Sequence, residues 1–221
     1  MNMEINPSEY KILIVDDVMS NVLLLKVLLT NEKFAIATAN NGRQALEQVD
    51  KEHPDLVLLD VMMPDLSGFE VAQRLKSNPD TADIPIIFLT ALNSTTDIVK
   101  GFQAGASDFI SKPFNKEELI IRVTHQVSLV AAKRIILNKT EELQRIIAGR
   151  DKLYSVIAHD LRSPMGSIKM VLNMLMLNLP VEKIGGEMYE LLTMANRTTE
   201  DVFSLLDNLL KWTKSQIRSE E

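Results

Sequence analysis

Five short runs of apolar, often β-branched residues alternate with amphipathic stretches over roughly the first 125 residues. The runs predict strands at 11–15, 34–39, 55–59, 84–89 and 107–110. The stretches between them predict helices near 20–30, 42–51, 68–76, 95–104 and from 115 onward. This alternation is typical of a parallel sheet with helices on both faces. The sequence therefore predicts an α/β doubly wound domain with a five-stranded parallel sheet.

The strand signals stop after Leu129, and a helical periodicity replaces them. Apolar residues at spacings of three and four, or multiples of these, form one stripe: Leu143, Ile147, Tyr154, Ile157, Leu161, Ile168, Leu172, Leu175 and Leu179. Arg150 and Pro164 interrupt it, and helix-breaking residues at 179–186 end it. A second stripe follows: Met188, Leu191, Ala195, Val202, Leu205, Leu209 and Trp212.

Two such stripes predict an antiparallel, all-α helical hairpin. A two-helix hairpin buries too little apolar surface to be stable alone, and pairing with a second copy completes a four-helix bundle. We therefore expect a homodimer through the hairpin, with the first stripe as part of its seam.

The chain is acidic, with a net charge of −6 and a pI near 5.2, so a nucleic-acid partner is not expected. No apolar run is long enough to span a membrane, and residues 1–10 do not resemble a secretory signal. There is no cysteine, which excludes disulfides and thiolate metal sites. These features predict a cytoplasmic protein without a membrane partner.

Polar residues follow the predicted strands at the ends where doubly wound sheets bind ligands. Asp16 and Asp17 follow the first strand, and Asp60 follows the third. Thr90 follows the fourth strand and Lys112 the fifth. Three converging carboxylates repel each other, and a hard divalent cation with oxygen ligands, most plausibly Mg²⁺, relieves that repulsion. A cation, a lysine and a hydroxyl around one nucleophilic carboxylate form a site suited to phosphoryl transfer.

These residues, with the segment LLDVMMPDLSG around Asp60 and the segment KPF from Lys112, resemble a response-regulator receiver domain over roughly 10–127. The resemblance implies a flavodoxin-like sheet of order 2-1-3-4-5, a cis bond before Pro113, and Asp60 as the phosphoacceptor. It implies Mg²⁺ ligands from Asp16, Asp17, Asp60 and the Met62 carbonyl, and phosphoryl-oxygen contacts from Thr90 and Lys112. Phe109 would be the family's aromatic switch, although a core aromatic explains it equally well.

His159 lies between Ile157 and Leu161, two positions of the first stripe. Two residues turn a helix by about 200°, so His159 is expected to face solvent. Asp160 can orient the imidazole and accept its proton. Pro164 leaves the carbonyl of Asp160 without its helical partner and predicts a bend.

The segment HDLRSP from His159 resembles the dimerisation and histidine phosphotransfer domain of sensor histidine kinases, over about 150–218. The resemblance implies that His159 is phosphorylated and that Asp160 is the acid or base, with Arg162 and Pro164 completing the motif. The predicted organisation is a receiver at 8–128, a connecting signalling helix at 129–150 and the histidine hairpin at 151–218.

A complete histidine kinase also needs a nucleotide-binding domain, and no glycine-rich phosphate loop is present, so ATP binding is not expected. The chain is then either a piece of a hybrid kinase or a relay protein phosphorylated in trans. We favour the piece, because residues 206–216 resemble the last helix before a kinase's nucleotide-binding domain. The expected partner is a histidine-kinase ATP-binding domain or another phosphorelay protein.

Two other functions remain open. His159 could be inactive, with the receiver controlling a dimeric interaction module. The chain could also be a transcriptional regulator, although residues 151–221 carry eight Lys plus Arg against ten Asp plus Glu, which does not favour DNA.

Overall fold

The computed structural model describes residues 6–91, 95–179 and 181–218. The chain divides into two compact units, Met1–Ile136 and Leu137–Glu221. Each unit is considered by itself below.

The first unit contains a five-stranded, wholly parallel sheet. Its strands are β1 Lys11–Val15, β2 Ala35–Ala39, β3 Leu56–Asp60, β4 Ile86–Thr90 and β5 Asp108–Ser111. Its helices are α1 Met19–Asn31, α2 Gly42–Glu52, α3 Gly68–Ser77, α4 Thr95–Gln103 and the first part of α5, which runs Lys116–Asn178. The sheet order is β2-β1-β3-β4-β5, which confirms the predicted topology.

Helices cover both faces of the sheet. As a result, β3 and β4 are buried along their whole lengths. On one face, Ile12 and Ile14 of β1 pack with Leu25 of α1 and Leu119 of α5. On the other face, Leu13 and Val15 pack with α2 and α3. Alternate residues of one strand thus serve two cores, as the period of two requires.

The predicted strand positions are correct to within two residues. The largest difference is at β4, which was expected from residue 84 and begins at Ile86. Pro85 has no N–H to donate to a neighbouring strand, although its carbonyl accepts from the Val57 N–H at 3.0 Å.

Helix α5 packs against the first unit beyond residue 128, where the sequence placed the domain boundary. Ala131 is buried in the core with Val127. Arg134 pairs with the buried carboxylate of Asp55. The Cζ atom of Arg134 also lies 5.6 Å from the centroid of the Tyr10 ring. Lys133 pairs with Asp83 at 2.7 Å. The two ion pairs lie outside any local sequence pattern, since each joins residues far apart in the chain.

The second unit is a helical hairpin, as predicted. It comprises the later part of α5, a short helix α6 at Val181–Ile184 and a long helix α7 at Gly186–Arg218. Arg162 of α5 pairs with Asp207 of α7. Seven residues further along α5, Lys169 pairs with Glu200, seven residues earlier along α7. The opposite directions of these steps make the two helices antiparallel.

The predicted breaker region holds α6, with Gly185 at a φ of 79° before α7 begins at Gly186. Pro180, part of that prediction, lies outside the described residues, as does the side chain of Trp212. Pro164 lies inside α5.

The α5 side chains of the hairpin form two separate rows. One row, which includes Ala158 and Arg162, faces α7. The second row is the first apolar stripe predicted from the sequence, and most of it is exposed, including Ile157, Leu161 and Ile168. None of the described helices is long and apolar enough to cross a membrane.

Candidate functional site

Three carboxylates meet at the carboxyl ends of β1 and β3, on either side of the point where strand order reverses. Asp16 and Asp17 directly follow β1, and Asp60 is the last residue of β3. One oxygen of each carboxylate lies within 4.8 Å of the others. Asp16 is fully buried, Asp60 is 4% exposed and Asp17 is exposed. The predicted convergence of these residues is therefore correct.

Lys112 bridges two of the three carboxylates. Its Nζ atom lies 2.8 Å from Asp16 Oδ2 and 2.9 Å from Asp60 Oδ2. The lysine follows β5, and its backbone N–H donates to the Thr90 carbonyl at 2.8 Å. The Lys112–Pro113 bond is cis, as the family resemblance implies. The cluster thus contains three carboxylates and one ammonium group in direct contact with two of them.

Burial raises the pKa of Asp60, and the neighbouring charge of Asp16 adds to this, although Lys112 and the Met62 N–H oppose it. Burial by itself would lower the pKa of Lys112, but its hydrogen bonds to Asp16 and Asp60 raise it overall. The lysine therefore stays positively charged, while ionisation of Asp60 is costly. A further cation in the cluster would favour the ionised carboxylates.

Thr90 ends β4 and is buried beside the cluster's strands, in register with Ser111 of β5. The Met62 backbone N–H points toward Asp60 Oδ1 at 3.4 Å, and the Met62 side chain is exposed. Phe109 of β5 is half-buried, with its ring centroid 4.8 Å from that of Phe102 and 5.8 Å from that of Phe88. The Phe109 position is compatible with both interpretations offered by the sequence.

Asn21, which the sequence analysis did not select, also belongs to the site. Its Nδ2 atom donates to Asp16 Oδ1 at 3.1 Å and to Asp16 Oδ2 at 3.0 Å. Asn21 lies in the first turn of α1, five residues after Asp16. The only sequence signal was weak: the polar pair Ser20 and Asn21 directly precedes the apolar run 22–25.

His159 belongs to the second unit and is 82% exposed at its side chain. Its Nδ1 atom lies 3.1 Å from Asp160 Oδ1. Both the solvent-facing position and the contact with the neighbouring acid agree with the sequence prediction. The chemical roles of these two residues remain predictions.

Residues 12–124 match the family described as the response regulator receiver domain. The chain belongs to this family. Membership implies a part in two-component signalling through phosphoryl transfer to an aspartate. The matched receiver residues contain the whole cluster from Asp16 to Lys112.

The relatives of this receiver include several kinds of signalling protein. Response regulator PleD from Caulobacter vibrioides is 42% identical over 140 residues, 63% of this chain and 30% of that protein. DNA-binding response regulator MtrA from Mycobacterium leprae is 42% identical over 113 residues, 51% of this chain and 49% of that protein.

A solved structure, the receiver domain of a signal transduction histidine kinase from Syntrophus aciditrophicus, is 33% identical with a TM-score of 0.50. The matched region covers 56% of this chain and 91% of the chain in the solved structure. The chain spans only 30% to 49% of the length of the two curated relatives.

Substituting Asp60 by asparagine is expected to raise the unfolding temperature of the metal-free protein at neutral pH by a few degrees. Burial raises the pKa of Asp60 in the folded state, so the folded chain binds this proton more tightly than the unfolded chain. The contribution of Asp60 to stability is therefore greatest below the pKa that it has in the unfolded chain. This contribution is lost as the pH rises through the higher pKa that it has in the folded chain. The neutral amide avoids that loss, and Lys112 keeps Asp16 as a partner.

Thermal unfolding in a chelating buffer, followed from mildly acidic to neutral pH, measures this effect. The difference between the two proteins should shrink as the pH falls. Asp65→Asn is the control, because Asp65 is exposed in the following loop and its φ of 67° suits asparagine. A lower unfolding temperature for Asp60→Asn at neutral pH would mean that the Lys112 pair outweighs burial.

Proposed function

We propose that Asp60 accepts a phosphoryl group from a phosphohistidine donor, with Lys112 and Thr90 binding the transferred oxygens. The observation that carries this proposal is the contact of Lys112 Nζ with both Asp16 and Asp60 at the carboxyl-terminal edge of the sheet. The lysine supplies positive charge at the place where the phosphoryl oxygens must lie. Thr90, at the end of the adjacent strand β4, supplies a hydroxyl donor.

The transfer forms one bond and breaks another. An oxygen of the Asp60 carboxylate bonds to phosphorus as the bond from phosphorus to the donor's nitrogen breaks. The nitrogen keeps the electron pair, and because the donor's other ring nitrogen carries a proton, the donor leaves as a neutral imidazole. Lys112 contacts Asp60 directly, and it can move its positive charge onto the new phosphoryl oxygens without leaving the site.

The cluster also fits a hard divalent cation. Three carboxylates carry three negative charges, and one ammonium group balances only one of them. Oxygen ligands are those that Mg²⁺ prefers, and Asp16, Asp17, Asp60 and the Met62 carbonyl would hold it. When bound, Mg²⁺ supplies charge neutralisation for the phosphoryl oxygens.

We further propose that His159 of the hairpin is a second phosphoacceptor. In this proposal His159 carries its ring proton on Nδ1 and donates it to Asp160, because an ionised carboxylate can only accept hydrogen bonds. The lone pair of the neutral ring is then on Nε2, and the exposure of the ring leaves it accessible to a phosphoryl donor. Asp160 takes the role of acid or base.

The partner for the hairpin in this proposal is a second copy of the chain. The stripe of Ile157, Leu161 and Ile168 is exposed although it is apolar, and the row that faces α7 is a different one. A second copy would cover this stripe in a four-helix bundle. The donor of phosphate to His159 is a histidine-kinase ATP-binding domain or another phosphorelay protein, acting in the cytoplasm.

Phosphoryl labelling with a small acyl phosphate and Mg²⁺ tests the receiver proposal. We expect one base-labile label per chain. No label should form when a chelator removes the cation before the donor is added. An unlabelled wild-type protein in the presence of Mg²⁺ would contradict the proposal.

Labelling with ATP and a separately supplied histidine-kinase ATP-binding domain tests His159. We expect an acid-labile, base-stable label that His159→Gln loses and His125→Gln keeps. His125 is a matched control because it is an exposed histidine on the same helix, α5. Label confined to Asp60 would instead favour the second candidate function, a receiver-controlled dimeric interaction module with an inactive histidine.

A further inference from the structure

Helix α1 begins without an ordinary side-chain cap. Its N-cap residue is Val18, whose side chain makes no capping hydrogen bond. The Val18 N–H donates instead to Asp16 Oδ1 at 2.9 Å. Asn21, three residues further on, returns to the same carboxylate. The start of α1 is therefore built around Asp16.

The Asp16 carboxylate is buried, and each of its oxygens has two donors. Oδ1 accepts from the Val18 N–H and from Asn21. Oδ2 accepts from Asn21 and from Lys112. Asn21 thus contacts both oxygens, and its amide group fixes the rotation of the carboxylate about its last bond.

We propose that Asn21 is a positioning residue, which holds the Asp16 carboxylate in the orientation that a divalent cation needs. This inference rests on the proposed cation site. A carboxylate that binds a metal is commonly oriented by a second hydrogen-bonding group, and loss of that group weakens metal binding by about tenfold or more.

The other two donors cannot fill this role equally well. Lys112 also contacts Asp60, and in the proposed function it binds the incoming phosphoryl group. A second positive charge at Asp16 repels the lysine, whereas the neutral amide of Asn21 is not repelled. The Val18 N–H contacts Oδ1 alone and leaves the carboxylate free to swing about that contact.

The test compares Mg²⁺ binding by the full chain with that of Asn21→Leu, measured by titration calorimetry. Leucine has a similar size and fits an apolar helix, but it has no donor. We expect the Mg²⁺ dissociation constant to rise by about tenfold. Asn31→Leu, the same substitution at the exposed last residue of α1, should leave the constant within about twofold of the wild type.

A second readout separates positioning from a merely structural role. In saturating Mg²⁺, the rate of phosphorylation of Asn21→Leu by a small acyl phosphate should return to within about threefold of wild type, because binding and not chemistry is impaired. Asn21→Ser, which is shorter and polar, gives the same comparison if the leucine variant does not fold.

Two negative outcomes are distinguishable. In the first, the wild-type protein binds Mg²⁺ and both Asn21 variants bind it with the same dissociation constant. This result would overturn the role of Asn21 alone. A wild-type protein that does not bind Mg²⁺, or binds it equally well after Asp17→Asn, would overturn the proposed cation site and this inference together.

Discussion

Asp60→Asn is expected to lower the rate of phosphorylation by a small acyl phosphate by at least about a thousandfold. The substitution preserves the size of the side chain but replaces a carboxylate nucleophile with an amide, whose nitrogen and oxygen do not attack phosphorus at a useful rate. The fold should survive, because Asp60 is the last residue of β3 and its backbone pairing with Leu89 is unaffected. Lys112 also retains its contact with Asp16.

Covalent phosphate can be followed by intact mass and by the loss of label in base. Asp65→Asn makes the same chemical change five residues away, at an exposed loop position, and should be labelled at the wild-type rate. A stoichiometric base-labile label on Asp60→Asn would contradict Asp60 as the acceptor. Asp17, the exposed member of the cluster, would then be the first alternative to examine.

Leu161→Glu is expected to convert the proposed dimer to a monomer, raising its dissociation constant by at least about a hundredfold. Leu161 lies on the apolar stripe of α5 and is 47% exposed in the single chain. In a symmetric dimer the substitution places two carboxylates in one apolar seam, and burying an unpaired charge there is strongly unfavourable.

Val156→Glu is the matched control. Val156 is 49% exposed on the same helix, but five residues before Leu161, which places it about 140° away around the helix axis. It should leave the dimer intact. Analytical ultracentrifugation over a range of concentrations measures both variants. Dissociation by both substitutions, or by neither, would contradict the assignment of the seam to the stripe.

The strands and their residue types could be predicted because they depend on local patterns. Uninterrupted apolar runs such as 56–59 indicate strands that are buried on both faces, and β3 and β4 are so buried. The ends of these strands then locate Asp60 and Thr90 at one edge of the sheet. Strand ends also placed Asp16 and Lys112 at this edge, although 96 residues separate them.

Contacts without a local pattern could not be predicted in this way. The receiver boundary at residue 128 stays a prediction, and the pair of Arg134 with Asp55, the residue before β3, had no signal in the sequence. Which exposed cation on a long helix meets which acid depends on the pitch and direction of that helix over the sheet. By contrast, the exposure of His159 and its contact with Asp160 were both predicted, because they depend on neighbouring residues of one helix.

By itself, the sequence determined the doubly wound sheet, the helical hairpin and the identity of the acidic cluster, because periodicity and strand-end motifs are properties of neighbouring residues. Only the tertiary structure decided that Asp16 is fully buried, that Lys112 bridges it to Asp60, and that Asn21 holds both of its oxygens. These features depend on how closely separate elements approach in three dimensions. A hydrogen bond is made or lost over a few tenths of an ångström, and no spacing along the chain specifies such a distance.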